Sequence, residues 1–108
     1  MENIENFRVV YVTTNSNESA KEISRVLVNE HLAACCSIIP NVTSVYMWNN
    51  TPEESSEFLI MIKTTVAKLD ILMQRVTELH PYDVPEIIAL PITQAAPLYA
   101  QWMREMLE

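Results

Sequence analysis

The first apolar run, Phe7–Thr14 (F-R-V-V-Y-V-T-T), is rich in β-branched and aromatic residues and bounded by polar ones, which predicts a strand at the centre of a sheet. Asn15 and Glu18 then form an approximate capping box. It precedes Ala20, Ile23, Val26 and Leu27, spaced as one face of a helix that runs to about His31. Residues 33–39 are a second apolar run, halted at Pro40, and residues 42–48 continue the extended pattern. Pro40 lacks an amide donor, so a bend or bulge is expected there. Residues 49–56 (N-N-T-P-E-E-S-S) read as a loop, and residues 57–64 as the returning strand of a hairpin. From Thr65 onward Leu69, Leu72, Met73, Val76 and Leu79 follow the i, i+3, i+4, i+7 rule, predicting a helix that ends before Pro81. Residues 86–92 form a short strand, with Pro91 at an edge or a strand end. Pro97 suits the first turn of a last helix carrying Tyr99, Trp102, Met103 and Met106 on one face.

This order, β-α-β-β-α-β plus a terminal helix, contains no repeat or low-complexity linker. Two βαβ-type halves close naturally as an α+β ferredoxin-like sandwich, here with a long β-hairpin and an extra C-terminal helix. A length of 108 residues fits one domain, residues 1–108, able to bury a core without metal or disulfide staples.

Composition narrows the chemistry. The chain has no glycine, so left-handed turns fall to Asn or Asp, with Asn41, Asn49 and Asn50 placed where turns are wanted. Glycine-rich phosphate cradles and dinucleotide fingerprints are thereby excluded. A net charge of −7 opposes nucleic acid and anionic membrane surfaces as partners. No apolar run approaches the length of a membrane span, and residues 1–6 are polar and acidic, unlike a secretion signal, so the expected location is the cytoplasm. Cys35 and Cys36 are adjacent and point to opposite sides of an extended segment, which suits two buried free thiols better than a bridge or a shared metal.

The ferredoxin-like frame carries many functions, which must be separated by their sites. An RNA-recognition module needs aromatic residues and positive charge on its central strands, and residues 57–64 offer Phe58 alone. A metallochaperone or an acylphosphatase would place cysteines or an arginine in the loop after the first strand. Residues 13–17 contain neither. His31, at the end of the first helix, suits a capping role against the helix dipole. His80, in H-P-Y-D-V-P-E-I, is followed by two prolines that restrict its neighbours, as suits either a site or a packed loop. The hairpin segments are longer than two helices of one subunit can cover, and Val45, Tyr46, Met47 and Trp48 at the far end present apolar surface. Burial against a neighbouring copy, rather than curling back on the chain's own core, is the expected resolution.

Three stretches, H-L-A-A-C-C-S-I-I-P-N-V-T-S-V-Y-M-W (31–48), S-E-F-L-I-M-I-K-T (56–64) and H-P-Y-D-V-P-E-I-I-A-L-P-I (80–92), resemble the CutA family of divalent-cation tolerance proteins. The resemblance spans about residues 9–102. It implies a cytoplasmic, non-enzymatic homotrimer with interlocking ribbons, similar in architecture to the PII signalling proteins, involved in the response to metal ions and binding copper or another divalent metal weakly. The alternative it implies is a PII-like sensor or adaptor with a small ligand in an intersubunit cleft. Family glycines are replaced by Asn41 and Asn50, which tolerate the same backbone. The copper site of a bacterial branch uses a cysteine and two successive histidines. Thr13 and Leu79 stand at two of those positions, leaving His80 as a single weak ligand. The family-like residues Trp48, Glu57, Lys63, Tyr82 and Glu86 are candidates to line the cleft, or to form a buried, mutually satisfied polar cluster that locks the trimer. No cofactor or catalytic residue is expected.

Overall fold

A computed structural model describes residues 4–108, so the first three residues of the polar segment 1–6 lie outside the described residues. The elements run β1 (Phe7–Thr14), α1 (Asn17–Asn29), β2 (Cys35–Trp48), β3 (Thr51–Thr65), a 3-10 turn (Val66–Lys68), α2 (Leu69–Leu79), β4 (Ile87–Pro91) and α3 (Pro97–Leu107). The strands form one sheet in the order β2-β3-β1-β4, every neighbouring pair antiparallel. This is the ferredoxin-like α+β arrangement, with β1 inside the sheet as its composition predicts.

Alternation along the strands sorts the two faces of the sheet. Val10 and Val12 of β1 stand opposite Ile62 and Ile60 of β3. With Ile23 and Leu27 of α1 and Leu72 and Val76 of α2 they form a core closed to water. Burial of each such side chain contributes about 1.5–3 kcal/mol, so this layer holds α1 and α2 on one face. Thr64 enters the same layer and satisfies its hydroxyl by donating to the Leu32 carbonyl at 2.7 Å. On the other face α3 covers only one end, where Ala100, Met103 and Leu107 pack with Phe7 and Ala34. The inward stripe therefore differs from the expected one. Met103 faces the core, but Tyr99, Trp102 and Met106 stay partly exposed, because the small Ala100 permits the close approach to Phe7. Beyond α3 the sheet face is uncovered. Tyr11, Leu59 and Met61 are only half-buried there, and Ile39, Ile88 and Leu90 are exposed.

Local chemistry corrects three boundaries. The cap of α1 is Ser16, not Asn15, with its hydroxyl accepting from the Ser19 amide at 3.0 Å. The same helix ends at Asn29 in a Schellman motif. His31 takes a left-handed φ of 59° and donates to Val28, and Leu32 donates to Leu27. The His31 ring reaches α3 instead of its own helix, with Nδ1 donating to the Met106 carbonyl at 3.1 Å. Finally, residues 51–56 are strand, not loop. Asn49 and Asn50, at φ 50° and 63°, make a two-residue turn of the mirror-image type whose twist matches a hairpin. Pro52 is tolerated because it pairs with Met47 one step beyond the turn-closing pair, where the missing amide would point out of the ribbon.

The expected bulge at Pro40 is present. Register shifts between Ile39, opposite Leu59, and Val42, opposite Glu57, so Pro40 and Asn41 together face Phe58, with Asn41 at φ 61°. Past this point β2 and β3 continue as a two-stranded ribbon beyond β1, whose last partner is Phe58. The ribbon gives the subunit a long axis of 50 Å and a radius of gyration of 14.6 Å, against roughly 13 Å for a compact chain of this length. It projects instead of curling back, leaving Val45, Met47 and Trp48 more than 60% exposed in the single subunit.

Candidate functional site

Above the bulge, paired residues share a face. Trp48, Tyr46, Ser55, Glu53 and Glu57 all lie on the same side of the ribbon, through the pairs Tyr46–Glu53, Ser44–Ser55 and Val42–Glu57. The loop after α2 rises against that side and brings Tyr82, Asp83, Val84 and Glu86. With Thr13 at the end of β1 these residues enclose a cleft of about 640 Å³, within the size range of small-molecule sites.

The floor of the cleft is anchored by three linked hydrogen bonds. Tyr82 donates its hydroxyl to Oε2 of Glu57 at 2.8 Å, and Glu57 is almost wholly buried. Burial, then this bond and the carboxylate's charge, push the Tyr82 phenol up to about 12. Beside it His80, also buried, spans two backbone groups. The Tyr82 amide donates to Nδ1 at 3.0 Å, so the proton sits on Nε2, which donates to the Thr13 carbonyl at 2.7 Å. The two rings lie 4.8 Å apart. His80 thus ties the end of α2 to the end of β1 and sets the position from which Tyr82 reaches Glu57.

Of the five cleft candidates, Trp48, Glu57, Tyr82 and Glu86 come together. Lys63 does not. It lies six residues further along β3, about 20 Å away, where Nζ donates to Ser37 Oγ at 2.9 Å and approaches Cys35 Sγ at 3.8 Å. The cysteines are free and on opposite faces, each only partly buried. Cys36 packs against the core, where burial pushes its thiol up to about 12. Thr13, Tyr46, Glu53, Ser55, Asp83 and Val84 also line the cleft and are not among the candidates that the sequence offers. The signal for the ribbon residues was the Asn-Asn turn, which sets a register pairing Tyr46 with Glu53.

The family model for the CutA1 divalent ion tolerance protein matches residues 8–106. The chain belongs to the CutA1 family. It is 46% identical over 97 residues to the divalent-cation tolerance protein CutA of Thermus thermophilus, covering 90% of this chain and 94% of that one. It is 45% identical to human protein CutA over 91% of this chain but only 55% of the human protein, so the chain spans about half the length of some relatives. Among solved structures, the Thermus thermophilus protein superimposes with a TM-score of 0.91 at 44% identity, covering 94% of this chain and 99% of that chain. CutA from Xylella fastidiosa gives 0.93 at 34% identity, covering 95% and 99% respectively.

Against this CutA1 frame the residues near His80 are a poor fit to a copper ion. Both ring nitrogens are engaged, so the ring presents no lone pair unless the bond from the Tyr82 amide is given up. Thr13 contributes its backbone carbonyl to that ring, not a ligating side chain. Among the described residues no three His, Cys, Asp or Glu side chains converge as a metal-binding group, and no helix is long and apolar enough to cross a membrane.

Proposed function

We propose that the chain assembles as a homotrimer, a cytoplasmic and non-enzymatic protein of the response to divalent metal ions. The observation that carries this reading is the half-covered sheet. Tyr11, Leu59, Met61, Ile88 and Leu90 form a continuous apolar face that α3 does not reach, and the ribbon extends its own apolar end past the body of the subunit. In a lone subunit both surfaces meet water. Threefold closure buries the sheet faces against one another and lays each ribbon along a neighbour, in a closed ring of identical contacts. Two free cysteines suit a reducing compartment.

The metal half of the reading is supported by the Thermus thermophilus relative, a divalent-cation tolerance protein. Direct contact with copper through His80 is weak in this reading, since the ring must first release a backbone bond. A second reading, a PII-like sensor or adaptor with a small ligand in an intersubunit cleft, is favoured by the cleft itself, which is large enough for a small effector and is walled by the ribbon that the proposed trimer lays along a neighbour. Light scattering at micromolar concentration tests the assembly. A mass near three times the 12.4 kDa subunit is expected, and a monomer would overturn the proposal.

A further inference from the structure

The cleft combines three features. Its walls carry the rings of Tyr46, Trp48 and Tyr82, its lining includes Glu53, Glu57, Asp83 and Glu86, and none of the lining residues that the single subunit supplies is basic. Lys63, the cation that a site for anionic effectors would need, is committed elsewhere to Ser37. Glu57 supplies a further, independent observation. It is only 6% exposed, yet Tyr82 holds just one of its oxygens, and among the described residues no hydrogen bond is made to the other. That second oxygen is not sealed in the interior, since Ser24 Oγ is the sole buried side-chain atom without a partner among the described residues, and Glu57 itself lines the cleft. A carboxylate removed from bulk water and facing an open cavity without a counterion is stabilised by a cation arriving there. Aromatic rings attract organic cations through their π faces while covering an apolar body, a double fit that a hydrated metal ion does not exploit.

We propose that the cleft is a site for an organic cation, a protonated amine or guanidinium on an apolar body. The cationic head pairs with the free oxygen of Glu57 on the floor, and the body lies between Tyr46, Trp48 and Tyr82. This inference rests on the second reading above, that the cleft holds a small effector, and adds the sign of its charge. A nucleotide, with its run of negative phosphates, meets four acids and no base here.

Calorimetric titration of the full chain in its native assembly, with agmatine as the probe and ATP and magnesium as comparisons, tests this. Saturable agmatine binding is expected. Glu57→Gln, which keeps an acceptor for Tyr82 but removes the charge, should weaken it about tenfold or more. Tyr46→Leu should weaken it severalfold by removing a ring while keeping apolar bulk. Glu18→Gln, an equal loss of charge on the exposed first turn of α1, should leave binding unchanged. Circular dichroism of each variant checks that it has folded. Binding of ATP but not agmatine would overturn the cation assignment and leave the effector reading standing, whereas binding of neither would remove both. Equal loss with Glu18→Gln, or full competition by magnesium, would reduce the effect to general attraction by an acidic protein and overturn the site.

Discussion

Tyr82 and Glu57, 25 residues apart in the chain, meet through a 2.8 Å hydrogen bond that closes the floor of the cleft. The bond needs a neutral phenol. With its folded-state value raised from 10.0 to about 12, Tyr82 contributes stability that is complete below about pH 10 and is lost as pH climbs through about 12. Ultraviolet titration of phenolate should show a tyrosine ionising late, and Glu57→Gln should bring it part of the way back, since burial remains. A late step unmoved by Glu57→Gln would mean that the bond does not hold the phenol.

His80 acts first as a backbone strap. His80→Ala should lower unfolding free energy by about 1–3 kcal/mol, because a buried carbonyl at Thr13 and an amide at Tyr82 lose their partner. Chemical denaturation measures this. Copper calorimetry on the same pair of proteins should show only weak binding in both. Tight copper binding abolished by His80→Ala would make the ring a metal ligand and sink the strap as its main role.

Assembly should be separable from folding. Met61→Glu sits on the uncovered sheet face and Met47→Asp near the end of the ribbon, on the side away from the cleft, and both side chains already contact water in the single subunit. Each places a charge where the proposed trimer is dry, a cost of several kcal/mol per contact. Light scattering should report smaller species while circular dichroism keeps its helix and strand signal. Unaltered mass with both variants would contradict the proposed contacts.

The asparagine turns hold left-handed backbone that β-branched residues resist. Asn50→Val, at φ 63°, should cost about 1–2 kcal/mol in thermal unfolding. Asn50→Gly should be close to neutral, because glycine enters the left-handed region without penalty at the expense of a freer unfolded chain. Equal melting of all three proteins would show that the turn relaxes to another type.

The parts of the fold that are legible in the sequence are those set by local periodicity. The β-branched run of β1 and the apolar period of α2 each specify an element and the face it buries. Residues 51–56 are not legible as strand, since a ribbon exposed on both sides has no reason to alternate, and their polar character imitates a loop. In α3 two stripes are about equally apolar, and the choice of Ala100, Met103 and Leu107 over Tyr99 and Trp102 depends on a sheet that the helix itself does not encode. The cleft lies between these cases. Glu57, Tyr82 and Glu86 come from segments joined only by long-range pairing, so their meeting is visible through family resemblance, and the separation of Lys63 only through register.

All four left-handed positions among the described residues, His31, Asn41, Asn49 and Asn50, are filled without glycine. Each of these side chains accepts some strain in the native state but also stiffens the denatured coil, so less disorder is surrendered on folding. A polypeptide whose every hinge carries a Cβ emerges from heat or denaturant already restricted. That restriction favours rapid return to the same register in the ribbon, where a slip by one residue would turn the acids and rings of the cleft to the wrong side.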